Sequence, residues 1–496
     1  SSDGEGMARE LLETGATIDG FLIGEKIHIG GMAELWSVTR PDIDVPILMK
    51  APLILDGEDA EAIVGFEMEQ MILPMLTGPH VPRFFAQGDF ADQPYIVMER
   101  IPGHSLYPWL EKTPLPAGEV ADVGARIAQA LNDLHKQNVV HLDIKPSNVM
   151  LKPNGEIAFV DFGLSRHLHL PDLLAEEFRL PMGTGPYMAP EQLFRIRDDR
   201  RSDIFALGVL LYHLATGVRP FGFPRNGRAL RKRLWKDPTP LLAYDPKFPP
   251  WLQDVILRCL EVKPDDRYQS AEQLAFDLRH PEQVQLTARA KRTKGDGLVT
   301  RLRRYMKAAG YERAMFESQA LVDAPHAPII MTAVDLTPGG EALAAELRAI
   351  VGQKIASFPE ARLACVNVLK QNRVQLNYSL DASGRNLHVA RLVELKEWAR
   401  PLGLAASRMT FHVLEAPDPA QALIGFARAN DVAQILLGAR ASSALRRYLG
   451  SVSAQIVAEA PCTVTVVRLK RRAGEDGDHE IEAAALDPVS PADAAP

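Results

Sequence analysis

The 496-residue chain carries a formal net charge of −7 and is 46% hydrophobic and 24% charged, a globular composition on a length that exceeds one ordinary core. The acidic balance gives no sign of a nucleic-acid binder, and Cys259, Cys365 and Cys462 are too scattered for a disulfide frame or a zinc site, as in a reducing compartment. The longest apolar run, residues 204–215, is too short for a bilayer and contains His213, so no membrane span is expected.

In chain order, residues 1–14 read as an acidic leader without a secretory apolar region, its SSDGEG opening as a cloning remnant, and a cytoplasmic location is expected. Strand patterns at 21–29, 34–39 and 45–50 precede a helical stretch at 59–73 and further strands at 81–88 and 95–100. Beyond Leu106 the pattern is mostly helical, at 117–137, 201–216, 251–262 and 270–278, which predicts an α+β unit with a strand-rich and a helix-rich lobe. Residues 282–325 gather Arg289, Lys291, Arg292, Lys294, Arg301, Arg303, Arg304 and Lys307, a basic linker read as a solvated connector, with docking or an anionic surface as the competing reading. From Pro328 strands at 329–335, 363–369, 409–414, 434–438 and 463–467 alternate with helices at 341–356, 387–399 and 420–429, which predicts an α/β open parallel sheet over 326–470. The acidic, Ala- and Pro-rich residues 471–496 are expected to be disordered.

The densest chemistry lies in VHLDIKPSNV at 140–149, followed by Asp161-Phe162-Gly163 and then by Ala189-Pro190-Glu191. In this order and spacing the motifs resemble the eukaryotic-like, bacterial-type protein serine/threonine kinase family over residues 15–281. The resemblance implies a bilobal kinase fold, ATP with Mg2+ (or Mn2+) as cofactors, and protein substrates, the chain itself among them. Phosphoryl transfer needs positioning and charge neutralisation, which sets the residue types. Asp143 matches the aspartate that takes the substrate hydroxyl proton, and Lys145 the lysine that steadies the moving group. Asn148 and Asp161 match the metal ligands, hard oxygen donors suited to Mg2+. Lys50 matches the strand lysine on the α- and β-phosphates. Its helix partner is expected to be Glu69, with Glu67 as the competitor. Thr184 matches the threonine bonded to the catalytic aspartate and lysine. Ile27, Gly30 and Gly31 fall in the nucleotide loop, and Met98 behind the adenine, with the backbone of Glu99 and Ile101 on its edge. Asp203 and the pair Arg267–Glu191 read as scaffold. The DxKPxN sequence favours Ser/Thr over Tyr, and protein over small-molecule substrates.

Two departures from the family pattern matter. His28 and Ala33 stand where the loop ordinarily has glycine, which predicts weaker ATP binding than the family norm. Leu142 replaces the arginine that grips an activation-loop phosphate, and residues 164–183 offer only Ser165 for modification. Activation independent of loop phosphorylation is therefore expected, with residues 167–174 ordering the loop by apolar packing. A nucleotide-binding pseudokinase scaffold is the rival, opposed by the presence of Lys50, Glu69, Asp143, Lys145, Asn148 and Asp161 together.

Residues 326–470 resemble the universal stress protein family through Val334-Asp335-Leu336-Thr337, Leu436-Leu437-Gly438-Ala439-Arg440-Ala441 and Gly450-Ser451-Val452-Ser453. The resemblance implies a second nucleotide site at Asp335, Gly438, Gly450 and Ser451. Ala441 departs from the glycine pattern, and the eight residues 442–449 make the loop one residue short. Dimerisation or stress sensing without nucleotide is the alternative for this domain, so a homodimer through it is expected.

Overall fold

The computed structural model describes residues 12–31, 33–53, 60–319, 327–370, 386–439 and 450–469. The expectations on residues 1–11 of the leader, on Arg440 and Ala441, on residues 442–449 and on the acidic tail lie outside the described residues.

The small lobe is a six-stranded antiparallel sheet built from β1 (Thr17–Ile18), β2 (Phe21–Ile29), β3 (Ala33–Thr39), β4 (Ile47–Pro52), β5 (Phe84–Gly88) and β6 (Tyr95–Glu99), in the order β1-β2-β3-β4-β6-β5. The fifth strand starts later than residue 81 because Pro82 has no N–H to donate to a ladder. Side chains alternate along β4: Ile47, Met49 and Ala51 are buried, and Ile47 and Met49 pack with Phe21, Trp36 and Tyr95 on one face. That alternation sends Lys50 to the opposite face, toward the helix α1 (Ala60–Ile72). Helix α1 buries Ile63, Val64, Phe66, Met68 and Ile72 together with two carboxylates, so it is enclosed on nearly every side.

The large lobe follows: β7 (His104–Ser105), α2 (Ala117–Lys136), β8 (Val139–Val140), β9 (Val149–Leu151), β10 (Ile157–Phe159), β11 (Arg166–His167), α3 (Leu173–Glu177), α4 (Arg201–Thr216), α5 (Gly227–Arg231), α6 (Pro250–Cys259) and α7 (Ala271–Arg279). The short strands pair as β10-β9-β7 and β11-β8, and these ladders carry the loops of the site. Helix α4 is apolar all round and is buried from Ser202 to Ala215.

The basic linker departs from the solvated reading. Arg289 pairs with Asp254 at 3.0 Å and Glu261 at 2.8 Å, and Arg292 with Asp237 at 2.7 Å. The linker then forms α8 (Leu298–Gln319), whose Ala308 and Tyr311 pack on Phe194 and Leu234 of the large lobe. Arg304 also pairs with Asp237, whereas Lys291, Lys294, Arg301, Arg303 and Lys307 are exposed, as is the outward side of α8 (Val299, Leu302, Met306).

The C-terminal domain runs β12 (Ile329–Ala333), α9 (Glu341–Ala356), β13 (Arg362–Lys370), α10 (Leu387–Ala399), β14 (Met409–Ala416), α11 (Pro419–Ala429), β15 (Val432–Gly438), α12 (Ser451–Glu459) and β16 (Thr463–Val467). Its five strands are all parallel, in the order β14-β13-β12-β15-β16. Val351 and Leu395 from α9 and α10 cover one face, and Ile424 and Ile456 from α11 and α12 the other. Among the described residues no helix is long and apolar enough to cross a membrane.

Candidate active site

The loop between β8 and β9 carries Asp143, Lys145 and Asn148. It is pinned from below by Asp203 of α4, a fully buried carboxylate that accepts the backbone N–H groups of His141 (2.9 Å) and Leu142 (2.8 Å) and faces His135 Nε2 at 2.8 Å. Leu142 is held with φ at 62°, a left-handed conformation uncommon outside glycine, and its side chain is buried. Such strain persists because the Asp203 bonds and the bond from Gln192 Nε2 to the Leu142 carbonyl (3.1 Å) over-determine the turn.

Both carboxylate oxygens of Asp143 are engaged. Oδ1 accepts the Thr184 hydroxyl at 2.6 Å and the Thr184 N–H at 3.2 Å. Oδ2 accepts Lys145 Nζ at 2.6 Å and Asn148 Nδ2 at 3.0 Å. Lys145 also reaches Thr184 Oγ1 at 3.1 Å, so four of the expected residues form one network.

A second network joins the lobes. Lys50 Nζ lies 2.5 Å from Glu69 Oε2 and 3.0 Å from Asp161 Oδ1, and Glu69 Oε1 accepts the N–H of Phe162 at 3.3 Å. The lysine is paired with Glu69 and not Glu67, which points to another face of α1. The Lys50 charge beside Asp161, a side chain 46% exposed, holds its carboxyl down at about 2, so Asp161 is ionised. Burial alone would lower the Lys50 pKa, but Asp161 and Glu69 raise it, and it stays charged. Phe162 is buried with its ring centroid 5.2 Å from that of His141, which ties the Asp161 segment to the Asp143 loop.

Gly65 was missed by the sequence reading. A Cβ on Gly65 would stand 3.2 Å from the Gly163 carbonyl oxygen, and one on Gly163 would stand 3.3 Å from that of Gly65. Two glycines thus let α1 approach the Asp161 segment backbone to backbone. The available signal was a glycine inside a helical pattern, which costs about 1 kcal/mol against alanine and calls for a packing reason.

At the nucleotide cleft, Met98 is buried and pairs across the sheet with Leu48, and Ile101 is also buried. The Glu99 N–H donates to the Arg83 carbonyl at 2.8 Å. Gly30 closes the β2–β3 turn by donating to the Ala33 carbonyl at 2.9 Å, and a Cβ on Gly31 would meet open space. Ile27 is partly exposed on the same hairpin.

The activation segment is ordered by more than apolar packing. Leu173 and Leu174 are buried, as expected, but Asp172 caps α3 by accepting the Ala175 N–H at 3.2 Å and pairs with Arg197 at 2.8 Å. Arg166 lies 3.6 Å from the same carboxylate, and Arg197 also donates to the Leu164 carbonyl at 3.0 Å. Ser165 is fully buried and donates to the His141 carbonyl at 3.1 Å. Glu191 and Arg267, both fully buried, form a bidentate pair at 2.7 and 2.8 Å with Ser202 on the same carboxylate.

In the C-terminal domain Asp335 lies two residues past the end of β12, Gly438 is the last residue of the adjacent β15, and Gly450 and Ser451 open α12. Asp335 accepts the N–H (3.0 Å) and hydroxyl (2.6 Å) of Thr337 in a local turn. A Cβ on Gly438 would stand 2.8 Å from Leu343, so close packing with α9 requires this glycine whether or not a ligand binds.

Comparison with known proteins identifies the family of each region. The protein kinase domain family matches residues 29–278, half of the chain, and the universal stress protein family matches residues 327–468. The serine/threonine-protein kinase Pkn1 of Myxococcus xanthus is 31% identical over 295 residues, 58% of this chain and 42% of that protein. PknB of Mycolicibacterium smegmatis is 28% identical over 265 residues, 52% of this chain and 42% of that protein. The chain thus spans about two-fifths of the length of these relatives. The Mycobacterium tuberculosis PknI kinase domain aligns at 26% identity over 54% of this chain and 99% of its own, with a TM-score of 0.43. The chain belongs to the protein kinase family, with a C-terminal region that matches the universal stress protein family.

Proposed function

We propose that the chain transfers the γ-phosphate of ATP to serine or threonine hydroxyls of proteins. The observation that carries this reading is the completeness of the two networks: Asp143 on Lys145, Asn148 and Thr184, and Lys50 between Glu69 and Asp161. Asp143 orients the substrate hydroxyl and accepts its proton, and the Lys145 ammonium stands where charge on the moving group is neutralised. Lys50 holds the remaining phosphates, with Glu69 fixing its position. The residues fit Mg2+ and nucleotide: Asp161 is an ionised oxygen donor, Asn148 adds a second, and Gly30 and Gly31 put no side chain at the tip of the β2–β3 turn. When bound, the metal supplies neutralisation of the phosphate oxygens.

The activation segment supports a kinase that does not wait for loop phosphorylation. Leu142 offers no cation to a loop phosphate, Ser165 is enclosed, and the Asp172 carboxylate already occupies Arg197. Dimerisation, stress sensing and nucleotide binding remain proposals for the C-terminal domain, resting on its family likeness.

The test is incorporation of labelled phosphate from ATP and Mg2+ into protein Ser and Thr, beside Asp143→Asn. Loss of the general base is expected to lower the rate by about 10²- to 10⁴-fold. Equal labelling by both proteins would refute the assignment of Asp143. Nucleotide binding with no labelling by wild type would support the scaffold reading.

A further inference from the structure

Glu67 and Glu69 are two residues apart on α1, and at about 100° per residue they project from nearly opposite sides. Glu69 faces the cleft. Glu67, also buried, meets Lys396 of α10 at 2.5 Å. The Lys396 ammonium lies between two rings, 5.5 Å from that of Phe90 and 5.8 Å from that of Phe411. Around this pair Val389, Leu392 and Val413 of the C-terminal domain join the apolar cluster that contains Ile63, Phe66 and Phe162.

The same domain grips the activation segment. Arg362 of β13 forms a bidentate pair with Glu176 of α3 at 2.6 and 3.2 Å. His412 of β14 lies between Glu176 at 3.0 Å and Glu177 at 3.4 Å, fully buried. Asn430 Nδ2 donates to the Glu176 carbonyl at 3.1 Å. The edge of the C-terminal sheet is therefore seated on α3, and its helix α10 on α1.

We propose that Lys396, Arg362 and His412 are positioning residues for phosphoryl transfer, holding α1 and α3 from outside in the arrangement where Glu69 meets Lys50 and the activation segment is ordered. This rests on the kinase reading above. The coupling runs through direct contact between the domains. Helix α1 is held by one carboxylate on each side, so loosening the outer contact loosens the inner one. In the full chain the C-terminal domain acts as a permanent activator in cis.

The experiment compares full-length wild type, Lys396→Glu and the swapped pair Glu67→Lys/Lys396→Glu, by turnover and by hydrogen exchange over 60–72 and 173–177. Lys396→Glu is expected to lower kcat about ten-fold, within the usual range for coupling between sites, to leave KM for the protein substrate nearly unchanged, and to speed exchange in α1. The swap is expected to restore most of both. Arg362→Ala provides an independent variant, with faster exchange in α3. Unchanged turnover and exchange in Lys396→Glu would overturn the proposal, as would a loss that the swap leaves unrestored in a chain that still melts cooperatively. If wild type itself has no turnover, the kinase reading falls and exchange alone decides: faster exchange in α1 reversed by the swap supports the clamp, and unchanged exchange overturns it.

Discussion

Replacing Asp172 with alanine tests how the activation segment is held without a phosphate. The carboxylate makes two separable contributions. Its Oδ1 caps α3, worth about 1 kcal/mol. Its Oδ2 accepts a charge-assisted bond from Arg197, and with side chains only 11% and 8% exposed that bond is worth about 2–3 kcal/mol. Together the loss is about 3–4 kcal/mol, or about 150- to 1,000-fold in the equilibrium that orders the segment. Asp172→Asn keeps a capping oxygen and loses the charge, so it should fall between wild type and alanine. The assay is turnover at saturating substrate, paired with hydrogen exchange over residues 164–182. Both should worsen in the order wild type, Asn, Ala. An alanine variant with wild-type turnover and wild-type exchange would refute the reasoning, and apolar packing by Leu173 and Leu174 would then suffice.

Three further outcomes follow from other sites. Arg267→Ala strands the fully buried Glu191 carboxylate and should destabilise the large lobe by about 3–5 kcal/mol, read as a lowered melting temperature with little change in the small lobe. Burial alone would lower the His412 pKa, but the bonds to Glu176 and Glu177 raise it to about 9, amid Arg362, His388 and Glu67 from neighbouring elements. A raised folded pKa means that this contact stabilises fully below about pH 6.5 and is lost as pH rises through about 9, so the melting difference between wild type and His412→Gln should shrink from pH 7 to 10. His28→Gly frees the end of β2 beside the β2–β3 turn and should tighten ATP binding, measured by nucleotide titration; unchanged affinity would remove His28 as a determinant of nucleotide binding.

The cluster of the candidate site was legible because the chemistry expected of it demands particular side chains at short spacings. Asp143, Lys145 and Asn148 sit within six residues of chain, and the turn that presents them leaves few alternatives. The parallel sheet was legible too, because strands covered on both faces read as apolar runs between helical periods. What stayed hidden was pairing at long range. Glu67 and Glu69 look alike in sequence, and only the fold shows that one meets Lys50 and the other meets a lysine 329 residues away. The linker misled for the same reason: Arg289 and Arg292 are basic in sequence, but Asp254, Glu261 and Asp237 are distant in chain and adjacent in space. Gly65 reads as a weak point of a helix until Gly163 is placed against it.

These hidden pairs bear on one question: what replaces the arginine that Leu142 displaces. A phosphate on the loop would bring about two charges that arrive and leave, whereas Asp172 brings one that is permanent. One carboxylate is a weaker anchor than a phosphate, so a segment relying on it needs further support. The structure supplies that support from the far side, where Arg362 and His412 take the two carboxylates at the end of α3. The segment is thereby held at both ends of its short helix, by Arg197 at the N-terminal cap and by the C-terminal sheet at the last turn. On this logic the missing arginine and the fused domain belong together: removing the domain should expose a dependence on loop order that the intact chain conceals.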